Sequence, residues 1–285
     1  MKKDKSISDW IALQKKKNLF LVRKKNLSDL KKWNITTNKI YHISKKFFQI
    51  IGIRVKSNFY INRSWDQPLV HQNEKGILGI LRRKYKGNFQ YLMQAKVEPG
   101  NINKLQLSPT VQATKSNFSR VHRGKRVKYL NFFQNVNKKQ ILVNSLQSEQ
   151  GDSYLFKFNK NIIINTKKNI KLDRNYIWLT KSELNELVNK NNLLNMDSIS
   201  VFSCSIKKNI CDFPENSLKK IKYWFTNLKK KYSIRRKIIS LSKMKNWQFD
   251  KKNILHKSKK HFSVIGVKFQ TNSREVNEWE QPIIQ

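Results

Sequence analysis

Cysteine and glycine are scarce in this chain of 285 residues. The two cysteines, Cys204 and Cys211, lack the number and the spacing of a closed zinc site, and they imply no disulfide framework. The 8 glycines form neither a Rossmann fingerprint nor a P-loop, and there is no G-x-S-x-G nucleophile elbow. If the protein is an enzyme, we therefore expect no cofactor and no strong metal site.

Long hydrophobic runs are also missing. No apolar stretch approaches the ~18 residues of a membrane span. The opening MKKDKSISDW has no apolar segment after its charges, so we expect no signal peptide. We expect a reduced, cytoplasmic protein with no membrane partner.

Acidic residues are few: 18 Asp and Glu stand against 60 Lys and Arg, so the formal net charge is +42. Such a charge can indicate a nucleic-acid partner. However, lysines outnumber arginines 48 to 12 and are spread along the whole chain, whereas phosphate and base recognition favours the bidentate fork of arginine. Two interpretations stay open. Lysine could be enriched over the whole surface by codon bias, which we favour, or the charge could form a polyanion-binding face.

The chain contains an internal repeat with an offset of 214 residues. Six of the 7 tryptophans form three pairs at this offset, since 224 − 10, 247 − 33 and 279 − 65 all equal 214. Aligning residues 10–71 with 224–285 needs no gap, and 20 of the 62 aligned positions are identical. Lysine bias alone would not align three tryptophans. We interpret the repeat as a duplication with an incomplete second copy.

Periodicity and turn signals predict an α+β fold with mostly antiparallel strands. Residues 1–214 are predicted to form the first repeat, and residues 215–285 the opening helix and strands of the second. The second copy should lie against the first or against a partner subunit. The local elements predicted in detail are a hairpin of 76–85 and 87–97 turning at Lys86-Gly87-Asn88, one strand over 106–114, a capping box from Thr180 to Glu183 that opens a helix to about Val188, and a basic helix over about 217–231.

The segment QLSPTVQAT alternates strictly, which places its polar residues on one strand face. These residues are Gln106, Ser108, Thr110, Gln112 and Thr114. The face carries no charge in a chain in which 27% of residues are charged. It could form a pocket wall for a neutral, hydroxyl-rich ligand, or it could be a solvated face.

Three other segments supply further candidate site residues. They are Gln94, Lys96 and Glu98 on one strand face, Asn117, Arg120, His122, Arg123 and Arg126 in SNFSRVHRGKR, and Gln147, Glu149 and Gln150 in SLQSEQGD. Arginines at the rim of a cleft could hold a diphosphate. Each segment could instead be an ordinary solvated turn or basic loop.

Taken together, the blocks WDQPLV, QAKVEPGN, QLSPTVQAT, RVHRG, LQSEQG and WLTKSELNELV resemble the NDP-hexose 2,3-dehydratase family. The resemblance implies two tandem Nudix-like domains and a dimer. It also implies action on dTDP-4-keto-6-deoxy-D-glucose in deoxysugar biosynthesis. The family has two sugar-nucleotide pockets per subunit, one catalytic and one vestigial.

The implied reaction needs no redox cofactor. A base removes the C3 proton next to the C4 ketone, a donor stabilises the enolate, and an acid helps the C2 hydroxyl leave. The resemblance makes Glu98, His122 and Glu149 the catalytic candidates. Lys96, Arg120 and Arg123 would hold the oxyanion or the diphosphate. The remaining residues of these blocks would bind sugar hydroxyls and thymine.

Two departures from the family pattern shape the expectation. The carboxylate-rich box that holds Mg²⁺ in Nudix hydrolases is missing, which argues against phosphohydrolase activity. The second copy lacks its hairpin and pocket blocks, which predicts an uncovered apolar surface and oligomerisation, as a homodimer or with a complementing second-half chain. The alternatives are an inactive sugar-nucleotide-binding remnant, half of a split enzyme or, less favoured, a nucleic-acid-binding protein.

Overall fold

The computed structural model describes residues 6–59, 63–119, 121, 124–205 and 215–285, with the backbone alone for residues 215, 216 and 218. The strands in these ranges are β1 (Phe20–Lys25), β2 (Trp33–Ile35), β3 (Lys39–His42), β4 (Gln49–Ser57), β5 (Arg63–His71), β6 (Gly76–Tyr85), β7 (Asn88–Val97), β8 (Leu105–Ser108), β9 (Val111–Ala113), β10 (Ile141–Ser148), β11 (Tyr154–Leu155), β12 (Phe158–Asn165), β13 (Tyr176–Thr180), β14 (Ile234–Ile239), β15 (Trp247–Phe249), β16 (Asn253–His256), β17 (Ser263–Thr271) and β18 (Glu278–Ile284). The helices are α1 (Ile7–Lys17), α2 (Lys115–Phe118), α3 (Asn131–Gln134), α4 (Lys181–Val188), α5 (Met196–Ser203) and α6 (Glu215–Lys231).

Within the described ranges, the strands form three sheets. The seven-stranded sheet has the order β10–β12–β6–β7–β13, with β8 beside β7 and β9 beside β6. The six-stranded sheet runs β11–β5–β4–β3–β2 with β14 beside β4, and the five-stranded sheet runs β1–β17–β16–β15 with β18 beside β17. Only β11–β5 and β12–β6 are parallel among these pairs. The predicted mixed α+β class is confirmed.

The hairpin and the capped helix that local sequence signals predicted are present in the structure. The β6–β7 hairpin turns at Lys86 and Gly87, whose φ angles of 47° and 81° lie in the left-handed region that a tight hairpin turn requires. At the start of α4, the Thr180 hydroxyl accepts from the Glu183 N–H and the Glu183 carboxylate accepts from the Thr180 N–H. This reciprocal capping box satisfies two backbone donors that the first turn leaves free.

The predicted single strand over 106–114 is wrong, because the chain changes partners in its middle. Strands β6 and β7 pair with each other between their turn and the pair Leu81↔Leu92. On the other side of this pair the two strands diverge, and there β8 pairs with β7 and β9 pairs with β6. Thr110 lies in the fork, fully buried. Its hydroxyl accepts from the Leu81 N–H at 3.0 Å and donates to the Leu92 carbonyl. One hydroxyl thus satisfies backbone groups that the divergence would leave unpaired.

The two segments of the repeat exchange a strand with each other. Strand β1 pairs with β17 in the register Phe20↔Thr271, and β14 pairs with β4 in the register Ile234↔Ser57. The two registers are equivalent at the offset of 214, since 234 − 20 and 271 − 57 both equal 214. Ile234 corresponds to Phe20, and Thr271 corresponds to Ser57. The second segment therefore packs against the first through main-chain hydrogen bonds in two sheets.

The side-chain contacts across this junction are reciprocal as well. The Trp33 indole donates to the Glu280 carbonyl at 2.8 Å, and the Trp247 indole donates to the Asp66 carbonyl at 2.5 Å. Each carboxylate also accepts a backbone N–H, from Lys31 for Glu280 and from Lys245 for Asp66, both at 2.7 Å. A shared apolar core lies between the two segments, with these equivalent buried members: Leu27 and Leu241, Leu30 and Met244, Ile40 and Ile254, Ile50 and Val264.

Replacing Gly52 with Ala should destabilise the fold. A Cβ at Gly52 would lie 2.9 Å from the Ile239 carbonyl, and one at its equivalent Gly266 would lie 2.9 Å from the Lys25 carbonyl. Both clashes are with the exchanged strand, which cannot move without breaking its pairing. We expect a loss of roughly 1–3 kcal/mol of unfolding free energy, as for other overpacked sites, measurable by urea denaturation. Gly100→Ala is the control, because its Cβ meets nothing within 4 Å; equal losses in both variants would contradict the close-approach explanation.

Candidate functional site

A cavity of about 520 Å³ opens beside the fork of the seven-stranded sheet. Residues from β6, β7, β9, β10, β12 and the start of α5 line it, and the loop between β17 and β18 contributes Arg274. A second cavity of about 690 Å³ adjoins it, with an aromatic wall that includes Trp33, Phe48 and Trp279. The two share Gln72, Thr114, Asn117, Tyr154 and Arg274. They form one cleft with a charged end and an aromatic end.

Lys96, Glu98 and Arg274 form an ion cluster at the charged end. The Lys96 ammonium lies 3.4 Å from the Glu98 carboxylate, and the Arg274 guanidinium lies 3.7 Å from the same oxygen. Burial lowers the pKa of Lys96, opposed by Glu98. Burial alone would raise the pKa of Glu98, but the Lys96 and Arg274 charges hold it below its ordinary value. Glu98 is therefore an ionised partner of two cations.

Neutral side chains hold this cluster in position. The Gln112 amide donates to the Glu98 carboxylate at 3.1 Å, and the Asn195 amide donates to the Gln112 oxygen at 2.9 Å. Asn195 also caps α5, where its oxygen accepts from the Ser198 N–H at 2.9 Å. The chain of contacts connects the ion cluster to the first turn of α5.

Asp197, in that first turn, lines the same cavity. Its pKa is raised to about 7, first by burial and then by the charges of Glu98 and Glu149, with Lys96 and Lys157 opposing. A helix N-terminus favours a charged carboxylate by ~0.3–1 kcal/mol. This is less than the free energy of a pKa rise of about three, because each pKa unit corresponds to 1.36 kcal/mol. Desolvation and like charge therefore dominate, and Asp197 is poised to exchange a proton near neutral pH.

The same cavity is lined by Glu149, Tyr154 and Lys157. The Glu149 carboxylate accepts from the Asn159 amide, and the Lys157 ammonium donates to the Glu74 carbonyl. Burial lowers the pKa of Lys157, opposed by Glu149, and burial raises the pKa of Tyr154 to about 12. Lys157 is thus a stronger acid than a solvated lysine.

The structure brings most of the sequence-predicted site residues into this cleft. Those that line the cavity are Lys96, Glu98, Gln112, Thr114, Asn117, Gln147, Glu149 and Gln150. Five others do not line either cavity, among them Arg126, which is exposed. Gln94 is buried and Ser108 bonds its carbonyl at 3.4 Å, Gln106 donates to the Asn192 carbonyl at 3.1 Å, and Thr110 fills the strand fork. Arg120, His122 and Arg123 lie outside the described residues.

Sequence reasoning missed several residues that line the cavity: Tyr154, Lys157, Asn159, Asn161, Asp197, Ser200 and Arg274. One local signal was available for Asp197, because it follows the capping residue Asn195 in the helix that begins at Met196. No local signal marks Arg274, which reaches the cleft only because the second segment packs on the first.

Among the residues that the structure describes, there is no group of three or more His, Cys, Asp or Glu side chains that could hold a metal ion. None of the helices described is long and apolar enough to span a membrane.

Fold and cleft together define an α+β protein whose charged cavity contains groups suited to proton transfer. The chain belongs to the NDP-hexose 2,3-dehydratase family, whose family model matches residues 4–205 and 218–285.

Three curated relatives are named as dTDP-4-dehydro-6-deoxy-alpha-D-glucopyranose 2,3-dehydratases. The protein from Saccharopolyspora spinosa is 34% identical over 271 residues, 87% of this chain and 56% of that protein. The protein from Amycolatopsis orientalis is 34% identical over 97% of this chain and 60% of its own length. The protein from Streptomyces violaceoruber is 37% identical over 86% of this chain and 58% of its own. The chain thus spans less than two thirds of the relatives that it matches.

Two solved structures share only a weak likeness. They are the C. elegans Ap4A hydrolase (13% identity, TM-score 0.28, 46% of this chain and 97% of that chain) and the C-terminal domain of mouse MUTYH in complex with human PCNA (10% identity, TM-score 0.30, 47% and 87%). At these TM-scores they carry no argument about the fold. The Nudix-like assignment stays a prediction.

Proposed function

We propose that this chain carries out the 2,3-dehydration of dTDP-4-keto-6-deoxy-D-glucose. The reaction is a hydro-lyase step of deoxysugar biosynthesis and removes the C2 hydroxyl to leave a 3,4-diketo-2,6-dideoxy sugar. Family membership and the names of three relatives support the substrate class. The observation that carries the chemistry is Asp197, an acid with a pKa of about 7 in a cavity that also holds buried cations.

In the proposed first step, Asp197 removes the C3 proton. The electron pair of the C3–H bond moves towards C4, and the ketone oxygen becomes an enolate. The buried Lys96 ammonium, oriented by Glu98 at 3.4 Å, stabilises that oxygen. Glu98, paired with two cations, would position these cations rather than act as the base.

In the proposed second step, the enolate expels the C2 hydroxyl and a C2–C3 double bond forms. Lys157 donates a proton to the departing oxygen, which leaves as water, and the charge of Glu149 favours the ammonium form of Lys157 before this transfer. The resulting enol at C3 becomes a ketone when C2 accepts the proton that Asp197 had taken and the C3 hydroxyl gives up its proton, which returns to Lys157. The net change is the loss of one water molecule.

The rest of the nucleotide sugar would extend along the cleft. Thr114 and Asn117 line both cavities, with the Thr114 hydroxyl donating to the Asn117 oxygen at 3.0 Å. We assign them to sugar or phosphate contacts, with Gln112, Gln147 and Gln150 at the sugar. The same proposal keeps His122 as a candidate for acid–base catalysis and keeps Arg120 and Arg123 as candidates for binding the diphosphate.

We further infer that the chain is an internal duplication, with residues 1–214 and 215–285 as its two parts. The exchanged strands, in registers that repeat at an offset of 214, support this inference. So do the reciprocal Trp33 and Trp247 contacts. Strand β1 then belongs to the first part of the duplication but pairs in the sheet of the second part.

A second candidate, a sugar-nucleotide-binding half of a larger enzyme, is favoured by the coverage of the relatives, which is 56% to 60%. Titration of dTDP-4-keto-6-deoxy-D-glucose by calorimetry, followed by chromatography of the products, separates the two. We expect micromolar binding and conversion to the diketo sugar. Binding without conversion would leave only the half-enzyme proposal, and absence of binding would refute both. A non-keto dTDP-glucose control should bind but remain unchanged.

A further inference from the structure

Asn161 is a polar residue at the inner end of the charged cavity. Alternate residues of β12 share one face of the sheet, and on this face the strand carries Asn159, Asn161 and Ile163. The two asparagines line the cavity, whereas Ile163 belongs to the large apolar core. On the neighbouring strand β6, Leu78 pairs with Asn161 and belongs to the same core. Asn161 therefore lies where the cavity ends and the core begins, and it is fully buried.

One end of the Asn161 amide has no partner in the part of the chain that the structure describes. The amide nitrogen donates to the Ser200 hydroxyl at 2.7 Å and lies 3.5 Å from the Cys204 sulfur. The amide oxygen is buried and accepts no hydrogen bond from any described residue. An unpaired buried acceptor lowers stability, and asparagine is disfavoured in strands. Stability therefore does not explain Asn161, and the unpaired oxygen indicates a ligand.

The Ser200 hydroxyl adds a donor beside this acceptor. It accepts from the Asn161 nitrogen, so its own proton is kept for another acceptor, and Ser200 also lines the cavity. A hydroxyl group donates and accepts at the same time, so one ligand hydroxyl can bond to the Asn161 oxygen and to Ser200. A ketone oxygen cannot donate to Asn161. The pair thus fits a hydroxyl of the ligand.

The position of Asp197 indicates which sugar hydroxyl this is. Asp197 and Ser200 are three positions apart on α5, which makes their side chains neighbours on one helix face, and both line the cavity. In the proposed function, Asp197 removes the proton from C3 and Lys157 protonates the departing C2 hydroxyl. The hydroxyl next to Asp197 is then the one on C3, the carbon that loses its proton.

We propose that Asn161 and Ser200 bind the C3 hydroxyl of the nucleotide sugar, which makes Asn161 a specificity-determining residue. The choice of hydroxyl rests on the proposed function. Two hydrogen bonds to the C3 oxygen fix the orientation of C3 and direct its C–H bond towards Asp197. These bonds form before any chemistry and do not involve the C4 ketone. An unreactive nucleotide sugar with the same C3 hydroxyl should therefore make them as well.

The test compares dTDP-glucose with its 3-deoxy and 2-deoxy analogues by calorimetry on the full chain. We expect the parent to bind dTDP-glucose about 10–100-fold more tightly than the 3-deoxy analogue, because the analogue leaves the buried oxygen unpaired. The 2-deoxy analogue should lose less affinity. Asn161→Leu keeps the approximate volume and removes the amide, so the preference over the 3-deoxy analogue should fall to within about 3-fold. Ser200→Ala should reduce this preference about 3–10-fold.

Asn144→Leu is the matched control. Asn144 is exposed on the adjacent strand β10 and lines neither cavity, so the variant should keep the parental preference. Urea denaturation separates a ligand-binding role from a structural one. Asn161→Leu should unfold at the same urea concentration as the parent or at a higher one, because the variant no longer buries an unpaired oxygen.

Three results would overturn the proposal. They are a parent that binds dTDP-glucose and the 3-deoxy analogue equally, a larger loss for the 2-deoxy analogue, and an Asn161→Leu variant that keeps the parental preference. If Asn161→Leu does not fold, the parent and Ser200→Ala decide. None of the probes has a C4 ketone. A parent that discriminates between them but does not convert dTDP-4-keto-6-deoxy-D-glucose would therefore contradict the proposed function alone.

Discussion

Replacing Asp197 with Asn should lower kcat by roughly 10²–10⁴-fold, the usual contribution of a positioned base. Asparagine keeps the size of the side chain but cannot accept the C3 proton. Substrate binding, measured by calorimetry, should change less than about 3-fold, because binding and proton transfer use different groups. Asp152→Asn, which removes an exposed carboxylate outside the cavity lining, should leave both quantities unchanged.

The pH profile gives this expectation a second readout. The base form of Asp197 is required, so kcat/KM should rise with pH through about 7, the pKa of this carboxyl. The rising limb should disappear in the Asn variant. A limb that persists unchanged would assign the titration to another group and remove Asp197 from the base position.

The raised pKa of Asp197 also lowers the free energy of unfolding at neutral pH. The unfolded carboxyl ionises near pH 4, but the folded one ionises near 7, so the folded state binds more protons between these values. Stability is therefore lost as pH rises from 4 to 7. Asp197→Asn should gain about 1–3 kcal/mol of unfolding free energy at pH 8 and little at pH 4.

Replacing Lys96 with Met is the second substitution with a large expected effect. It removes the ammonium that we assign to the enolate oxygen, so kcat should fall by roughly 10²–10³-fold, as for other oxyanion donors. It also leaves Glu98 with Arg274 at 3.7 Å as its remaining cation. The pKa of Glu98 should then rise, since burial would be opposed by one cation instead of two.

Lys84→Met is the matched control for this variant, because Lys84 is exposed on the same sheet at the far end of β6. A Lys96→Met protein that unfolds normally in urea, binds dTDP-sugar and turns it over at the parental rate would exclude Lys96 from the oxyanion role. A protein that folds and binds but does not react supports it.

Some of the site was visible in local sequence because it depends on strand periodicity. Alternation predicted polar strand faces that contain Lys96, Glu98 and Gln112. Lys96 lies in β7, Glu98 follows β7 directly and Gln112 lies in β9, and all three line one cavity. Alternation also put Thr110 on the polar strand face, but in the structure Thr110 is fully buried and lines neither cavity. The strand is interrupted beside it, because β6 and β7 diverge and Thr110 hydrogen-bonds to both.

Other features depend on distant parts of the chain and have no local signal. Arg274 donates to the Val97 carbonyl at 3.2 Å across 177 residues of sequence. The raised pKa of Asp197 arises from burial and from Glu98 and Glu149, which lie in other elements. Neither the contact nor the shift can be computed from neighbouring residues.

The amino-acid sequence by itself determined the repeat, the hairpin, the helix caps and the family, because each depends on residue identity at short or constant spacing. Only the tertiary structure decided that the two segments exchange β1 and β14. The exchange carries Arg274 and Trp279 of the second segment into the first cleft. The physical reason is that strand pairing and desolvation are properties of surfaces brought together by folding, which spacing along the chain does not encode.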